Sequence, residues 1–219
     1  MSIRIRAMTT EDVPALTRLH ARVFPAYNST ALGRGYLKAL YRTLASHPAC
    51  LSIVAEEGEE FVGWIGGIKD YAGYNGALVR SCLPAAPAIF LCALFRRPRL
   101  LFAGLTFVRR VTARALGRRR AAAETAAPAP APPPPGSNAR LLVIGVAVGC
   151  QRGGVGQLMM AEFHRRLAAA GFATCALSTY VANDAGIGAF QKAGYRLSSS
   201  HAGVNYFEKD IAEDREELS

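Results

Sequence analysis

The segment that most constrains this chain is an apolar strand running into a glycine-rich turn and then a helix. Residues 140–148 (RLLVIGVAV) form a continuous apolar run of buried-strand length. Gln151, Arg152, Gly153, Gly154, Val155 and Gly156 follow. Residues 157–170 then place Met159, Met160, Phe163 and Leu167 at helical spacing, and Gly171 is placed to end that helix. A strand feeding a helix through such a turn demands a sheet with a helix packed on it. The turn itself directs unpartnered amides and the positive end of the helix dipole outward, a geometry that binds phosphate. Without Cβ atoms, Gly153, Gly154 and Gly156 admit an anion close to the backbone, and Arg152 adds a charge.

Two other phosphate loops are excluded by spacing. A dinucleotide fold asks for G-x-G-x-x-G and an acidic residue on the next strand, whereas residues 173–180 end in Ser178, Thr179 and Tyr180. A P-loop needs G-K-[ST], which this turn lacks.

The rest of the chain alternates strand and helix signals. Residues 3–6 (IRIR) alternate with period two, and residues 9–12 (TTED) supply helix-capping chemistry ahead of Pro14. Leu16, Leu19, His20 and Val23 line one face of that first helix, which Pro25 stops. A second helix is expected over 31–46, with strands at 51–55 and 61–68 joined by the hairpin connection 56–60. After the glycine turn come a strand at 173–180, a short helix that Asn183 caps and Gly194 ends, and strands at 195–198 and 204–208.

Between these halves lies a different composition. Residues 82–120 are apolar and basic together, and nine of the chain's 22 arginines fall between Arg96 and Arg120 with no acidic residue among them. Its apolar runs, 88–95 and 100–108, are shorter than the ~20 residues of a membrane span. A helical hairpin hinged near Pro98 is expected. It is either a packed insertion with solvent-facing arginines or a surface that meets acidic lipid or an acidic ligand through residues 96–120. Nucleic acid is not expected as a partner, because no binding motif or aromatic ladder accompanies the charge. Residues 121–138 are an Ala/Pro-rich linker, and 212–219 form an acidic tail.

Five scattered cysteines without a C-x-x-C pair, and four histidines without a ligand pair, point away from a disulfide scaffold or a metal site. They fit a reducing, cytoplasmic setting, and the N-terminal residues lack a signal-peptide apolar core.

The turn Gln151-x-x-Gly154-x-Gly156 resembles the Q/R-x-x-G-x-G/A pyrophosphate loop of the GNAT superfamily of acyl-CoA N-acyltransferases. Residues 183–195 (NDAGIGAFQKAGY) are similar to that family's N-x-x-A-[IV]-x-x-[YF]-x-K-x-G-[FY] segment. The resemblance covers about 3–81 and 139–211. Phe24-Pro25 with Leu32-Gly33 and an insertion is similar to a branch found near sugar or secondary-metabolite genes.

The resemblance implies an α/β (α+β) fold: a mixed, mostly antiparallel twisted sheet flanked by helices, one N-acetyltransferase domain over 1–219, with the basic helical hairpin inserted. It implies acetyl-CoA as cosubstrate and no metal. Acetyl-CoA would lie in a splayed gap between strands 141–148 and 173–180. Its pantetheine would pair with Ile144, Gly145 and Val146, with Gly145 suiting a bulge. Its pyrophosphate would rest on the amides of Arg152, Gly153, Gly154, Val155 and Gly156 beside Gln151. The Val146 amide would steady the thioester oxyanion. Asn183 would reach the pantetheine as well as cap its helix, and Phe190 would line the cofactor.

Two family positions depart from the pattern. Many relatives carry a Tyr proton donor where Phe190 stands and a Glu base where Arg140 stands, and neither residue here can serve. Tyr206 is the first replacement considered for catalysis, with Tyr180 and His20 behind it. Cys150, beside the loop, is not expected to carry an acyl group, since nothing nearby forms a Cys-His pair. The expected reaction is direct attack of a small-molecule primary amine on the thioester. The acceptor, such as a nucleotide-linked amino sugar or secondary metabolite, would sit near Phe24, Tyr27 and Asn28. The alternatives are a non-catalytic acyl-CoA-binding module and a peripheral membrane or partner-docking protein using the arginine hairpin.

Overall fold

Among the described residues seven strands form one continuous sheet, most of them where the sequence alternates or runs apolar. The structure, a computed structural model, describes residues 3–96 and 139–212. The strands are β1 (Ile3–Ala7), β2 (Cys50–Glu57), β3 (Glu60–Ile68), β4 (Ala139–Val146), β5 (Thr174–Tyr180), β6 (Arg196–His201) and β7 (Val204–Asp210). They lie in the order β1-β2-β3-β4-β5-β7-β6, and every pairing is antiparallel except β4 with β5. The expected mixed, mostly antiparallel sheet is what forms.

Helices cover the two faces unequally. On one face lie α1 (Val13–Val23), the short α2 (Asn28–Ala31) and α3 (Gly33–Ser46). Leu16, Leu19, Leu37, Leu40, Tyr41 and Leu44 pack there on Val54 and Trp64. On the other face, α6 (Val155–Ala169) buries Met159, Met160, Phe163 and Leu167 against Ile53, Ile65, Leu141 and Phe207. α7 (Asp184–Lys192) closes the end of that core through Phe190. The termini of α6 and α7 follow the sequence signals. Gly171 and Gly194 both take φ of +88°, and the Asn183 side chain accepts from the Gly186 amide at 3.2 Å.

The helical stretch after β3 starts earlier than composition indicated. α4 (Tyr71–Cys82) already belongs to it, where sequence reading placed no helix and set the boundary at residue 82. Asp70 caps it, accepting from the Ala72 and Gly73 amides at 3.0 Å each. A 3-10 turn over Leu83–Ala85 joins it to α5 (Ala86–Arg96), giving one 26-residue helical rod, Tyr71–Arg96. The arginine hairpin beyond 96, the Ala/Pro linker 121–138 and the acidic tail after Ala212 lie outside the described residues.

Candidate acyl-CoA site

The site begins where β4 and β5 part. Their parallel pairing holds only through Ala139 with Cys175 and Arg140 with Ala176. Beyond Arg140 the β5 side of β4 is open, while its other side stays paired with β3 up to Val146. The Ala147 amide donates to the Val62 carbonyl of β3 at 2.9 Å. Strand alternation therefore turns the Gly145 backbone groups to β3 as well, and those of Ile144 and Val146 into the gap. The Gln151 side chain confirms the direction at Val146, donating through Nε2 to its carbonyl at 3.1 Å. Of the three expected strand residues, Ile144 and Val146 thus face the gap with their amides, and Gly145 does not.

Gly145 also has a different reason to be glycine. Its pairing with Trp64 is regular, and the register shift lies instead between Gly66 and Gly67, opposite Val143 and Leu141. The bulge expected at Gly145 is therefore at Leu142. A Cβ on Gly145 would overlap the Trp64 indole, so glycine is what lets the ring lie against β4.

The glycine turn follows directly. A 3-10 turn, Val148–Cys150, leads to Gln151, then to Arg152 at φ +66° and Gly154 at φ +84°. Gly154 is the N-cap of α6, and no side chain caps that end. The first intrahelical bond closes from the Leu158 amide to the Gly154 carbonyl at 3.0 Å. The amides from Gly154 to Gln157 precede the first amide that donates within the helix, so they remain available to an anion. Arg152, Gly153 and Gly154 are exposed while Val155 is buried, which anchors the turn and leaves its rim open. Cys150 packs against the main core, as a small apolar residue does.

Asn183 sits across the gap. Besides capping α7 it donates through Nδ2 to Thr179 Oγ1 at 2.8 Å, so both ends of its amide hold the β5–α7 junction. An open cleft of about 440 Å³ lies beside it, lined by Ala26, Tyr27, Asn28, Tyr180, Ala182 and Asn183. Phe24 stands behind Tyr27 at 4.7 Å between ring centroids and meets Trp64 at 5.9 Å. Tyr27 faces Tyr180 at 6.3 Å. Burial, with the neighbouring Tyr180, pushes the Tyr27 phenol above its ordinary pKa, so it stays protonated at neutral pH. The residues expected to meet the acceptor, Phe24, Tyr27 and Asn28, are thus brought together beside Asn183.

The catalytic candidates separate. Phe207 and Leu177 pair across β7 and β5 and are buried. Alternation therefore turns Tyr206 and its partner Ser178 to the opposite face, the one Trp64 occupies. Arg140 Nη2 donates to Ser178 Oγ at 3.1 Å, which gathers Arg140, Ser178 and Tyr206 at the point where the strands part. His20 is not available for chemistry. It is 2% exposed, with Nδ1 hydrogen-bonded to the Tyr41 hydroxyl at 2.6 Å and Nε2 to Ser29 Oγ at 2.9 Å. Burial pushes its pKa down to about 4, so it is a neutral core residue. Phe190 is buried, with ring centroids 6.1 Å from Tyr195 and 6.4 Å from Phe207, a packing role. All five cysteines are free, and among the described residues no group of three or more His, Cys, Asp or Glu could hold a metal ion.

Sequence reasoning missed Trp64 and Gln157. The lone tryptophan, opposite a strand glycine, was a signal for the first. Gln157 Nε2 donates to the Ala189 carbonyl at 2.8 Å and ties α6 to α7, which no local pattern announces.

No family model matches the chain, and no curated protein matches it. Solved structures do. The chain superposes on SsHAT with a TM-score of 0.64 at 19% identity, over 97% of this chain and 100% of that one. The PaiA N-acetyltransferase of Thermoplasma acidophilum, solved with coenzyme A, gives 0.57 at 13% identity over 96% and 99%. YncA of Salmonella typhimurium, solved with its cofactor acetyl-CoA, gives 0.55 at 10% identity over 97% and 96%. The fold is that of the GNAT acetyltransferases.

Proposed function

We propose that this chain transfers an acetyl group from acetyl-CoA to an amine. The observation that carries the reading is the open edge of β4 at Ile144 and Val146, running straight into the uncapped start of α6. An added half-strand, which is what a pantetheine arm resembles, finds backbone partners on that edge. A pyrophosphate finds the amides of the Arg152–Gly156 turn and the Arg152 guanidinium. Acetyl-CoA supplies the activated thioester, and the Val146 amide is the donor placed for its carbonyl oxygen. Two structures of the same fold hold coenzyme A or acetyl-CoA, which supports the choice of ligand.

The acceptor site is the Tyr27–Asn28–Tyr180–Asn183 cleft, and the acceptor is a small primary amine. With the gap beside it, the cleft holds the amine near the thioester, and proximity supplies much of the acceleration. Tyr206, on the face that also carries Arg140 and Ser178, is the residue that returns a proton to the thiolate. Arg140 cannot act as a base, but on the same face it favours an acceptor bearing a carboxylate or phosphate, such as a nucleotide-linked amino sugar.

The test is release of free CoA thiol from acetyl-CoA across a panel of amino sugars, polyamines and N-terminal peptides. One solved neighbour is a ribosomal-protein-S18-alanine N-acetyltransferase, so peptides belong in the panel. Turnover with a small acidic amine supports the reading. Turnover confined to peptides moves the acceptor to protein. The positions of Phe190 and Arg140 favour a second reading, a module that binds acyl-CoA without turnover, and binding with no thiol release on any amine would establish it.

A further inference from the structure

The rod formed by α4 and α5 is apolar on two sides, and only one of them is covered. Tyr74, Ala77 and Ala93 are buried on its inner side. Ala85 and Ile89 lie against Gly35 of α3, and Cys92 lies against Gly33. On the outer side Leu83 is 65% exposed, Phe90 54%, Leu91 55%, Leu94 44% and Phe95 77%. A helix apolar all round is expected to be enclosed by protein or by lipid.

The charge pattern selects between them. No Asp or Glu occurs from Tyr71 to Ala123, while ten arginines do. Two of these, Arg80 and Arg96, are exposed and bracket the apolar row. Large apolar side chains between basic residues, in a stretch of sequence without Asp or Glu, match the acyl boundary and anionic headgroups of a bilayer. The rod is long and apolar enough to cross a membrane. Its inner side is nonetheless fixed to α3, which allows it to lie on a bilayer and not to span one.

We infer that the outer face of Leu83–Phe95 docks this protein on an anionic lipid surface, with the α4–α5 rod lying in the interface plane. Phe90, Leu91, Leu94 and Phe95 enter the headgroup–acyl boundary. Arg80 and Arg96 remain at headgroup level, where their stems cover apolar surface and their guanidinium groups meet phosphate.

The full chain is floated with phosphatidylcholine vesicles and with vesicles containing about a third phosphatidylglycerol, at low and high salt. Binding is expected to the phosphatidylglycerol vesicles and to weaken severalfold as salt rises. The double variant Phe90→Ser/Phe95→Ser is expected to lose most of that binding with its melting temperature unchanged, because both side chains are exposed. A Phe95→Trp reporter in vesicles of brominated lipid is expected to be quenched, which requires no destabilising change. Failure to float with anionic vesicles overturns the proposal, as does floating that survives the double variant or a reporter that is not quenched. A double variant that melts lower while lipid has no effect also overturns it, and assigns the face to protein: the 97–138 stretch, or a second copy if the mass in solution is that of a dimer.

Discussion

Trp64 of β3 lies against the backbone of Gly145 in β4, with no room for a methyl group between them. The contact joins the aromatic wall beside the Tyr27–Asn183 cleft to the strand edge proposed for acetyl-CoA, since Trp64 also meets Phe24 at 5.9 Å. Replacing Gly145 with Ala must push the indole or the strand aside. Overpacking of this kind costs about 1–3 kcal/mol. Gly145→Ala is expected to lower stability in urea titrations by that amount and to weaken acetyl-CoA binding, because Ile144 and Val146 flank the displaced residue. Unchanged stability would show that the indole moves freely.

Gly154 separates backbone conformation from space. Its φ is +84°, yet nothing lies within 4 Å of where a Cβ would be. Gly154→Ala therefore acts through the left-handed conformation alone, at about 1–2 kcal/mol. That strain would turn the first amides of α6, so acetyl-CoA affinity is expected to fall about tenfold or more, read by calorimetry. Arg152, at φ +66°, gives the converse. Arg152→Gly is expected to keep or raise stability while weakening CoA binding through the lost charge.

His20 makes stability depend on pH. In the unfolded chain it takes up a proton as pH falls through its ordinary 6.5, and in the folded protein not until about 4. The unfolded state thus binds more protons across that window, and stability falls as pH drops from about 6.5 toward 4, by roughly 2 kcal/mol. Urea titrations at intervals across the window check the slope, and His20→Gln is expected to remove it.

The roles proposed for Arg140 and Tyr206 separate binding from chemistry. Tyr206→Phe is expected to reduce kcat by roughly tenfold or more while leaving acetyl-CoA affinity intact. Arg140→Ala is expected to raise KM for acidic acceptors and to leave neutral ones little changed. A Tyr206→Phe enzyme with full kcat would give the proton transfer to water.

Much of the fold was legible because its punctuation is local. Asn183, Gly171 and Gly194 mark helix ends by chemistry that neighbours do not alter, and the glycine turn with its following helix is marked by its own residues. The parting of β4 from β5 was legible only through the family resemblance. The α4 helix was obscured by Gly73 and Gly76, although Asp70 with Tyr74, Ala77 and Leu78 carried the cap and the spacing. Gly145 was misread because a strand glycine serves either a bulge or a close neighbour, and the neighbour, Trp64, is 81 residues away in sequence. His20 looked like a candidate base because its burial depends on Tyr41 and Ser29, partners that its own helix does not name.

Acetyl-CoA binding is tested most directly by thermal melts of the full chain with acetyl-CoA, with CoA and with ATP, beside the Gly154→Ala variant. A ligand at a hundred times its dissociation constant stabilises by about 2.7 kcal/mol, a clear shift. The expected result is a rise in melting temperature with acetyl-CoA and CoA, a smaller one with ATP, and a reduced response in the variant. A cooperative melt that none of these ligands moves would contradict the site, and would leave the open edge of β4 and the start of α6 as a turn that holds no pantetheine.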